Sequence, residues 1–233
     1  MTLLNWELKP DQVLIFSDTL CLDGEDHRAR GFVTKVYPAA HIGAVITGTG
    51  SVEVVTQFFI RALNCVANDL VHLSEYAPGI LREIWKEYQD LFPGGSTTTT
   101  IYTFGLSKVD GRFTGFAYRS TADFEAEQLP TGMAIKPATA LEEAKVADSL
   151  EALIGVARKQ QEHDRGLPRM ERVGIGGELW LYILEKSKSG AASIHIHCIE
   201  QMKHYDKDRE ISLAKLPANA QHPRAADALA SDP

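Results

Sequence analysis

The chain has few of the features that would mark export or a membrane. Only three cysteines, Cys21, Cys65 and Cys198, occur among its 233 residues, and no two have the spacing of a metal site. An odd number of thiols fits a reducing compartment better than a disulfide framework. No apolar run approaches the roughly 18 residues of a membrane-spanning helix, and the start has no basic segment followed by an apolar one. A soluble, cytoplasmic protein with no membrane partner is therefore expected.

Positive charge is also scarce. The chain has 24 Lys and Arg against 31 Asp and Glu, which gives a net charge of −7. This acidic balance argues against nucleic acid or an anionic membrane surface as the main partner. With 44% hydrophobic residues the chain is able to bury a core, either as one domain or as one domain with a tail.

The first fifty residues have the alternation typical of β-strands. Apolar side chains alternate with others over residues 4–8, a polar turn follows, and an apolar run at 13–16 leads to Asp18. This pattern predicts an antiparallel hairpin. Two further strands are predicted at 31–38 and 41–47.

Beyond residue 51 the apolar residues recur at helical spacing. The pattern predicts a helix from residue 52 to about 73 and a second from Pro78 to about 91, with the proline in the first turn. A hairpin with Asp110-Gly111 at its turn follows. A third helix is predicted from residue 140 to about 163, and a last hairpin over 176–199.

This order of strands and helix pairs predicts an α+β fold. Blocks of strands between helical blocks indicate a four-layer αββα sandwich with two stacked antiparallel sheets. We assign this domain to residues 2–203. Residues 204–233 are polar and then rich in Ala, Pro and Asp, so we predict a loose, partly disordered C-terminal extension.

The residues with the clearest chemical potential lie near the start. Thr2 stands directly after Met1, and its small side chain permits removal of that methionine. Thr2 would then carry both a hydroxyl and a free α-amine, a nucleophile and its base. Asp18, Lys35 and the glycine-rich turn at 47–50 follow in the order that an N-terminal-threonine amidohydrolase needs.

This start resembles the N-terminal nucleophile (Ntn) hydrolase superfamily, in particular proteasome β-type subunits and their bacterial relative HslV. In that family the catalytic threonine opens the first strand and an aspartate ends the second, a spacing that Thr2 and Asp18 match without a gap. Lys35 falls one residue after the place of the family's lysine, and Gly48 and Thr49 fall in its oxyanion turn. The similarity of layout covers almost the whole predicted domain, but its motifs lie in the first fifty residues.

The resemblance implies a role for each of these residues. Thr2 would attack an amide carbonyl, and its α-amine, with an unperturbed pKa of about 7.7–8.0, would act as the base. Lys35 would lower the pKa of that amine, and Asp18 would hold Lys35 in place. The N–H of Gly48 or Thr49 would meet the developing oxyanion. The resemblance thus implies a peptide or amide substrate, with no cofactor and no metal.

Two features of the family are altered here. The family has a supporting serine in a Gly-Ser-Gly-like turn before its third helix, and in the matching stretch at 129–133 we assign that place to Thr131. The family's aspartate and serine before a late Gly-Gly are both missing at 171–177. The alternative function is therefore a proteasome-like structural subunit that assembles into rings or cages without catalysis.

Two other patterns bear on partners and metals. Phe58 and Phe59 cannot both face the sheet from one helix, so we predict leftover apolar surface and a homo-oligomer, most simply a ring. The sequence does not reveal whether an ATP-dependent unfoldase is a partner. His195 and His197 share one face of a strand, as two metal ligands would, but no third ligand has motif spacing and no metal site is predicted.

Overall fold

We describe the fold from a computed structural model of the chain, which covers residues 3–24, 26–95, 98–145, 147 and 149–215. The strands, in chain order, are β1 (Leu4–Leu8), β2 (Gln12–Asp18), β3 (Leu20–Leu22), β4 (Ala29–Phe32), β5 (Val36–Ala39), β6 (Ala44–Thr49), β7 (Thr100–Leu106), β8 (Phe113–Arg119), β9 (Ala126–Gln128), β10 (Gly132–Lys136), β11 (Glu178–Lys186) and β12 (Ala192–Gln201). The helices are α1 (Val52–Leu63), α2 (Leu70–Leu91), α3 (Leu141–Lys145), α4 (Leu150–Gly166) and α5 (Tyr205–Ala214).

Two antiparallel sheets form the middle of the molecule. One has the strand order β10-β1-β2-β11-β12 and the other the order β5-β6-β7-β8-β9. Their facing sides bury an apolar core in which Trp6 of β1 packs with its ring centroid 4.9 Å from Tyr102 of β7. Alternate residues of each strand point to this core, which is why the sequence shows a period of two.

Helices cover the outer face of each sheet. Helices α1 and α2 pack on the second sheet around Phe58, Leu81 and Tyr118. Helix α4 packs on the first sheet, where Leu153 and Ile154 meet strands β2 and β11. The four-layer αββα sandwich predicted from the sequence is confirmed. Among the described residues, no helix has the length and apolar content to cross a bilayer.

The first helical pair begins at Val52 and ends at Leu91 as predicted, but the break between its two helices lies at other residues. Helix α1 ends at Leu63 rather than near 73, and α2 begins at Leu70, where the Asp69 carboxylate accepts the N–H of His72 at 2.9 Å as an N-cap. Pro78 therefore lies inside α2 and not in its first turn. The buried face of α2 continues on both sides of the proline, and this packing outweighs the hydrogen bond that the proline cannot donate.

The third predicted helix is two helices. Helix α3 ends at Lys145, and Ser149 starts α4 as an N-cap whose hydroxyl accepts the N–H of Ala152 at 3.2 Å. The apolar period runs across this break, so periodicity alone joined the two segments. Leu150, the first residue of α4, follows the apolar spacing of the segment but is 47% exposed.

The strand predicted at 31–38 is also divided, because β4 pairs with β3 while β5 belongs to the second sheet. Residues 33–35 pass between them.

The first part of the predicted C-terminal extension forms helix α5, in which Tyr205 stacks on Phe32 with ring centroids 5.0 Å apart and Asp208 pairs with Arg165. Polar contacts such as the Asp208–Arg165 pair help to hold α5 in place, and this explains why its sequence has no strong apolar stripe. Residues 216–233 lie outside the described residues.

Candidate active site

Asp18 ends β2 with its side chain fully buried. Its Oδ1 accepts from Lys35 Nζ at 2.7 Å and from the N–H of Leu3 at 3.0 Å, and its Oδ2 accepts the N–H of Gly176 at 3.0 Å. A carboxylate taken out of water needs such donors and a counter-charge. These three hydrogen bonds fix its position.

Lys35 directly precedes β5 of the second sheet, and its side chain reaches Asp18 of the first. Its side chain is only 8% exposed, and its backbone carbonyl accepts the hydroxyl of the buried Thr47 at 2.8 Å. Thr47 lies in β6 opposite Val36, the first residue of β5. The ion pair therefore joins the two sheets, with the lysine backbone held by β6 and its ammonium held by β2.

Leu3 is the residue next to this ion pair at the N-terminal end of the described chain. Leu3 is fully buried, and its N–H is one of the donors to Asp18. Thr2, which is joined to that nitrogen by its peptide bond, lies outside the described residues. Of the sequence-predicted group, the structure thus brings together Asp18 and Lys35, and adds Leu3 as their neighbour.

Residues 173–176, just before β11, are held against Asp18 by a side chain of α4. The sequence pattern did not predict this contact. The carboxylate of the buried Asp164 accepts the N–H of Val173 at 2.7 Å and that of Ile175 at 3.1 Å. Gly176, the next residue, donates to Asp18, and its carbonyl accepts the N–H of Leu20 at 3.0 Å. The sequence did contain a signal for this role of Asp164: it lies seven residues after Ala157, on the buried face of α4, where a carboxylate needs hydrogen-bond donors.

Gly48 and Thr49 end β6 directly before α1. A Cβ on Gly48 would come within 2.7 Å of Val55 and 2.8 Å of the Thr100 carbonyl, so only glycine fits there. The N–H of Leu106 donates to the Gly43 carbonyl at 3.4 Å, so the carbonyl of Gly43 faces β7. In an antiparallel ladder, successive residues direct their N–H and C=O groups alternately toward one neighbouring strand and toward the other. The N–H of Thr49, six residues after Gly43, is therefore directed to β7, and the N–H of Gly48 is directed to the opposite side.

That opposite side is the one where Lys35 lies. Val36 pairs with Thr47, so the next step of the register places Lys35 opposite Gly48, just before β5 begins. Gly50 follows with a φ of +100°, and Ser51 then caps α1. The register thus directs the N–H of Gly48 toward the main chain of Lys35, whose side chain pairs with Asp18.

Thr131 is not brought to this group. It is exposed and precedes Gly132, which pairs with Leu8 at the far end of β1. The end of β1 next to Asp18 is Leu4, whose partner is Lys136. Four residues of strand, about 13 Å, separate the two ends. Thr131 therefore lies at the opposite end of β10 from Asp18.

The turn at the Asp18 end of β10 is held by a buried amide pair. Asn5 Nδ2 donates to Gln160 Oε1 at 2.6 Å, and Gln160 Nε2 donates to the Pro137 carbonyl at 2.7 Å. Lys136 N–H donates to Asn5 Oδ1 at 3.2 Å. In this turn the Thr139 hydroxyl is buried and has no hydrogen-bond partner among the described residues. Thr139 thus lies between β10 and α3, whereas Thr131, the residue suggested by the family resemblance, lies before β10.

The histidine pair on β12 does not form part of this group. His195 and His197 are exposed, and His195 Nε2 lies 3.3 Å from the Glu185 carboxylate. Within the described residues, no three or more His, Cys, Asp or Glu side chains are grouped as metal ligands.

Comparison with known proteins identifies the fold. No protein-family model and no curated protein matches the chain. Its structure is similar to that of Anbu (ancestral beta-subunit) from Yersinia bercovieri, with a TM-score of 0.56 over 93% of this chain and 98% of that chain. The two sequences are 12% identical, so the similarity establishes the fold alone. The chain has a proteasome-like, Ntn-type fold, and this similarity does not point to HslV in particular.

Proposed function

We propose that this protein is an N-terminal-threonine amidohydrolase, a proteasome-like peptidase that cleaves an amide bond through an acyl ester on Thr2. The observation that carries the proposal is the buried Asp18–Lys35 pair, whose carboxylate also holds the N–H of Leu3. A cation and its counter-ion are thereby fixed beside the residue that is bonded to Thr2.

In the proposed reaction Thr2 Oγ attacks the substrate carbonyl while the α-amine, freed by loss of Met1, takes the hydroxyl proton. The tetrahedral intermediate collapses, the C–N bond breaks, and the leaving amine receives that proton. The product is an ester between Thr2 and the acyl fragment. A water molecule, deprotonated by the same amine, hydrolyses the ester and restores Thr2.

Lys35 supports the amine as a base. An ammonium close to a second amine disfavours protonation of that amine and lowers its pKa. Asp18 holds the Lys35 ammonium by its 2.7 Å contact and balances its charge in a place with little access to water. The lysine is therefore proposed as a fixed cation and not as a proton carrier.

Gly48 is proposed as the oxyanion donor. The register directs its N–H away from β7 toward the Lys35 side, and its position against Val55 and the Thr100 carbonyl is one that only glycine can occupy. One such donor typically contributes about 2.7–4 kcal/mol to stabilisation of the transition state. Thr49 is placed less well for this role, because its N–H is directed into the β6–β7 ladder.

A structural subunit without catalysis is the second candidate. It is favoured by the stretch at 171–177, which has no serine and in which Glu171, at the first residue, is the sole carboxylate. The N–H groups of Val173 and Ile175 are bound there by Asp164 instead. Under this proposal the Asp18–Lys35 pair serves only to join the two sheets.

The mature N-terminus separates the two candidates. Intact-mass measurement of the natively expressed protein is expected to give a chain that lacks Met1 and begins at Thr2, because the proposed base is the α-amine of Thr2. The control is a Thr2→Lys variant, whose long side chain is expected to keep Met1 in place. Wild-type protein that retains Met1 in full would rule out the catalytic proposal and leave the structural one.

The outer helical layer suggests that the chain assembles as a homo-oligomer. Phe58 is buried and Phe59 stacks on Tyr37 at 5.1 Å, so the apolar surplus lies at other positions than predicted. The exposed apolar and aromatic side chains of this layer include Val52, Ile60, Leu63, Tyr76, Leu91 and Phe92. Repeated use of one such surface closes a ring or makes a filament, and we propose a ring.

Light scattering after size-exclusion chromatography is expected to give a multiple of the 25.7 kDa chain mass. A Leu63→Glu/Leu91→Glu variant should reduce that mass, because it places charge in the proposed contact. Val109→Glu, at a still more exposed position on the β7–β8 turn, is the control and should keep the assembly. A wild-type monomer at micromolar concentration would contradict the proposal.

A further inference from the structure

A pocket with a volume of about 270 Å³ opens between the β3–β4 hairpin, the end of α4 and helix α5. Its lining is strongly basic although the chain as a whole has a net charge of −7. The cationic residues of the lining are Arg28, Arg165, Arg169, Arg172 and Lys207. Asp164 and Asp208 are its acidic residues.

Both carboxylates of the pocket are already engaged. The two oxygens of Asp164 accept backbone N–H groups, and Asp208 pairs with Arg165. Among the residues that the structure describes, no carboxylate forms an ion pair with Arg169, Arg172 or Lys207. The pocket therefore holds positive charge that the protein itself does not compensate.

The pocket is also partly organised before anything binds. Arg172 is held by its Nε on the Leu167 carbonyl at 2.9 Å and by its Nη2 on the Arg165 carbonyl at 2.8 Å. Arg165 Nε and His27 Nδ1 are buried and, within the described residues, lack a hydrogen-bond partner. A buried polar atom without a partner costs free energy, and a ligand with several acceptor oxygens would relieve that cost.

We propose that this pocket binds a small phosphate anion, either free or as the phosphate group of a small molecule. Guanidinium groups match phosphate oxygens with paired N–H donors, and several such groups around one cavity suit an anion with more than one negative charge. The modest volume favours a compact ligand. The proposal does not depend on catalysis at Thr2, because the pocket is separated from Asp18 by Asp164 and the segment at 173–176.

Isothermal titration of the full-length protein with inorganic pyrophosphate at low ionic strength tests this site. We expect saturable binding of one anion per chain. Arg169→Ala/Lys207→Ala should weaken it at least about tenfold, since each lost charge-assisted hydrogen bond costs about that factor or more. The matched control is Arg209→Ala, which removes the same kind of charge from α5 outside the pocket lining and should change the Kd less than about twofold.

Three results would overturn the proposal. The first is no saturable binding of pyrophosphate at millimolar concentration. The second is an equal loss of affinity in Arg209→Ala and in the pocket variant, since that would reflect general surface charge. The third is citrate binding more tightly than pyrophosphate, which would assign the pocket to carboxylates. Inorganic phosphate, titrated separately, should bind at the same residues with lower affinity than pyrophosphate, and circular dichroism establishes that the variants fold.

Discussion

A Lys35→Ala variant is expected to lose hydrolytic activity and, at the same time, about 3–5 kcal/mol of unfolding free energy. The side chain of Lys35 is 8% exposed and that of its partner Asp18 is fully buried, so the substitution leaves a buried carboxylate without its cation. The burial of this pair between the two sheets is the reason for the large expected effect on stability.

Urea unfolding followed by circular dichroism measures this loss. Lys9→Ala is the matched control: the Lys9 side chain is 51% exposed and pairs with Glu7 at 2.9 Å, and such surface pairs contribute at most about 1 kcal/mol. If Lys35→Ala unfolds at the same urea concentration as the wild type, the ion pair has no structural role and the proposed geometry is wrong.

Two further variants separate stability from catalysis. Lys35→Arg keeps the charge and should recover part of the stability, but a planar guanidinium does not present the compact charge of an ammonium and activity should stay low. Lys35→Met/Asp18→Asn removes both charges together and should be more stable than Lys35→Ala, while remaining inactive. Full activity in this double variant would show that the pair does not act on the amine.

A Thr2→Ala variant is expected to lose hydrolysis of a fluorogenic peptide amide by a factor on the order of 10⁶, the loss found when a hydrolase is deprived of its nucleophile. The alanine keeps the α-amine but has no hydroxyl to form the ester. Thr2→Ser retains both groups and should restore activity. The initial rate over a panel of such peptides, with intact mass to establish that residue 2 is exposed, measures the effect.

The control for Thr2 is Thr34→Ala. Thr34 is exposed and adjacent to Lys35 in the chain, so its loss tests whether any nearby hydroxyl serves. Activity that persists in Thr2→Ala and falls in Thr34→Ala would transfer the nucleophile to another residue. A wild-type protein with Thr2 exposed but no hydrolysis of any peptide in the panel would favour the structural subunit instead.

The sequence by itself determined the layers of the fold and part of the candidate site. Period-two alternation in β1 and β2 and helical spacing in α1 report local geometry, because a strand or helix repeats its side-chain directions over a few residues. Asp18 and Gly48 stand at strand ends, where a change of period is visible in the sequence. The break before α4 was not visible in this way, because an apolar period can run across two helices.

Only the tertiary structure decided which residues meet. Lys35 reaches Asp18 across two sheets, and Gly176 reaches the same carboxylate from a segment 158 residues further along the chain. Such contacts depend on strand register and on the stacking of layers, which no local pattern encodes. Register also separates Thr131 from the site, because β10 runs antiparallel to β1 and its other end lies beside Asp18. The basic pocket has the same origin: α4 and α5 bring its charges together only when both pack against the β3–β4 hairpin.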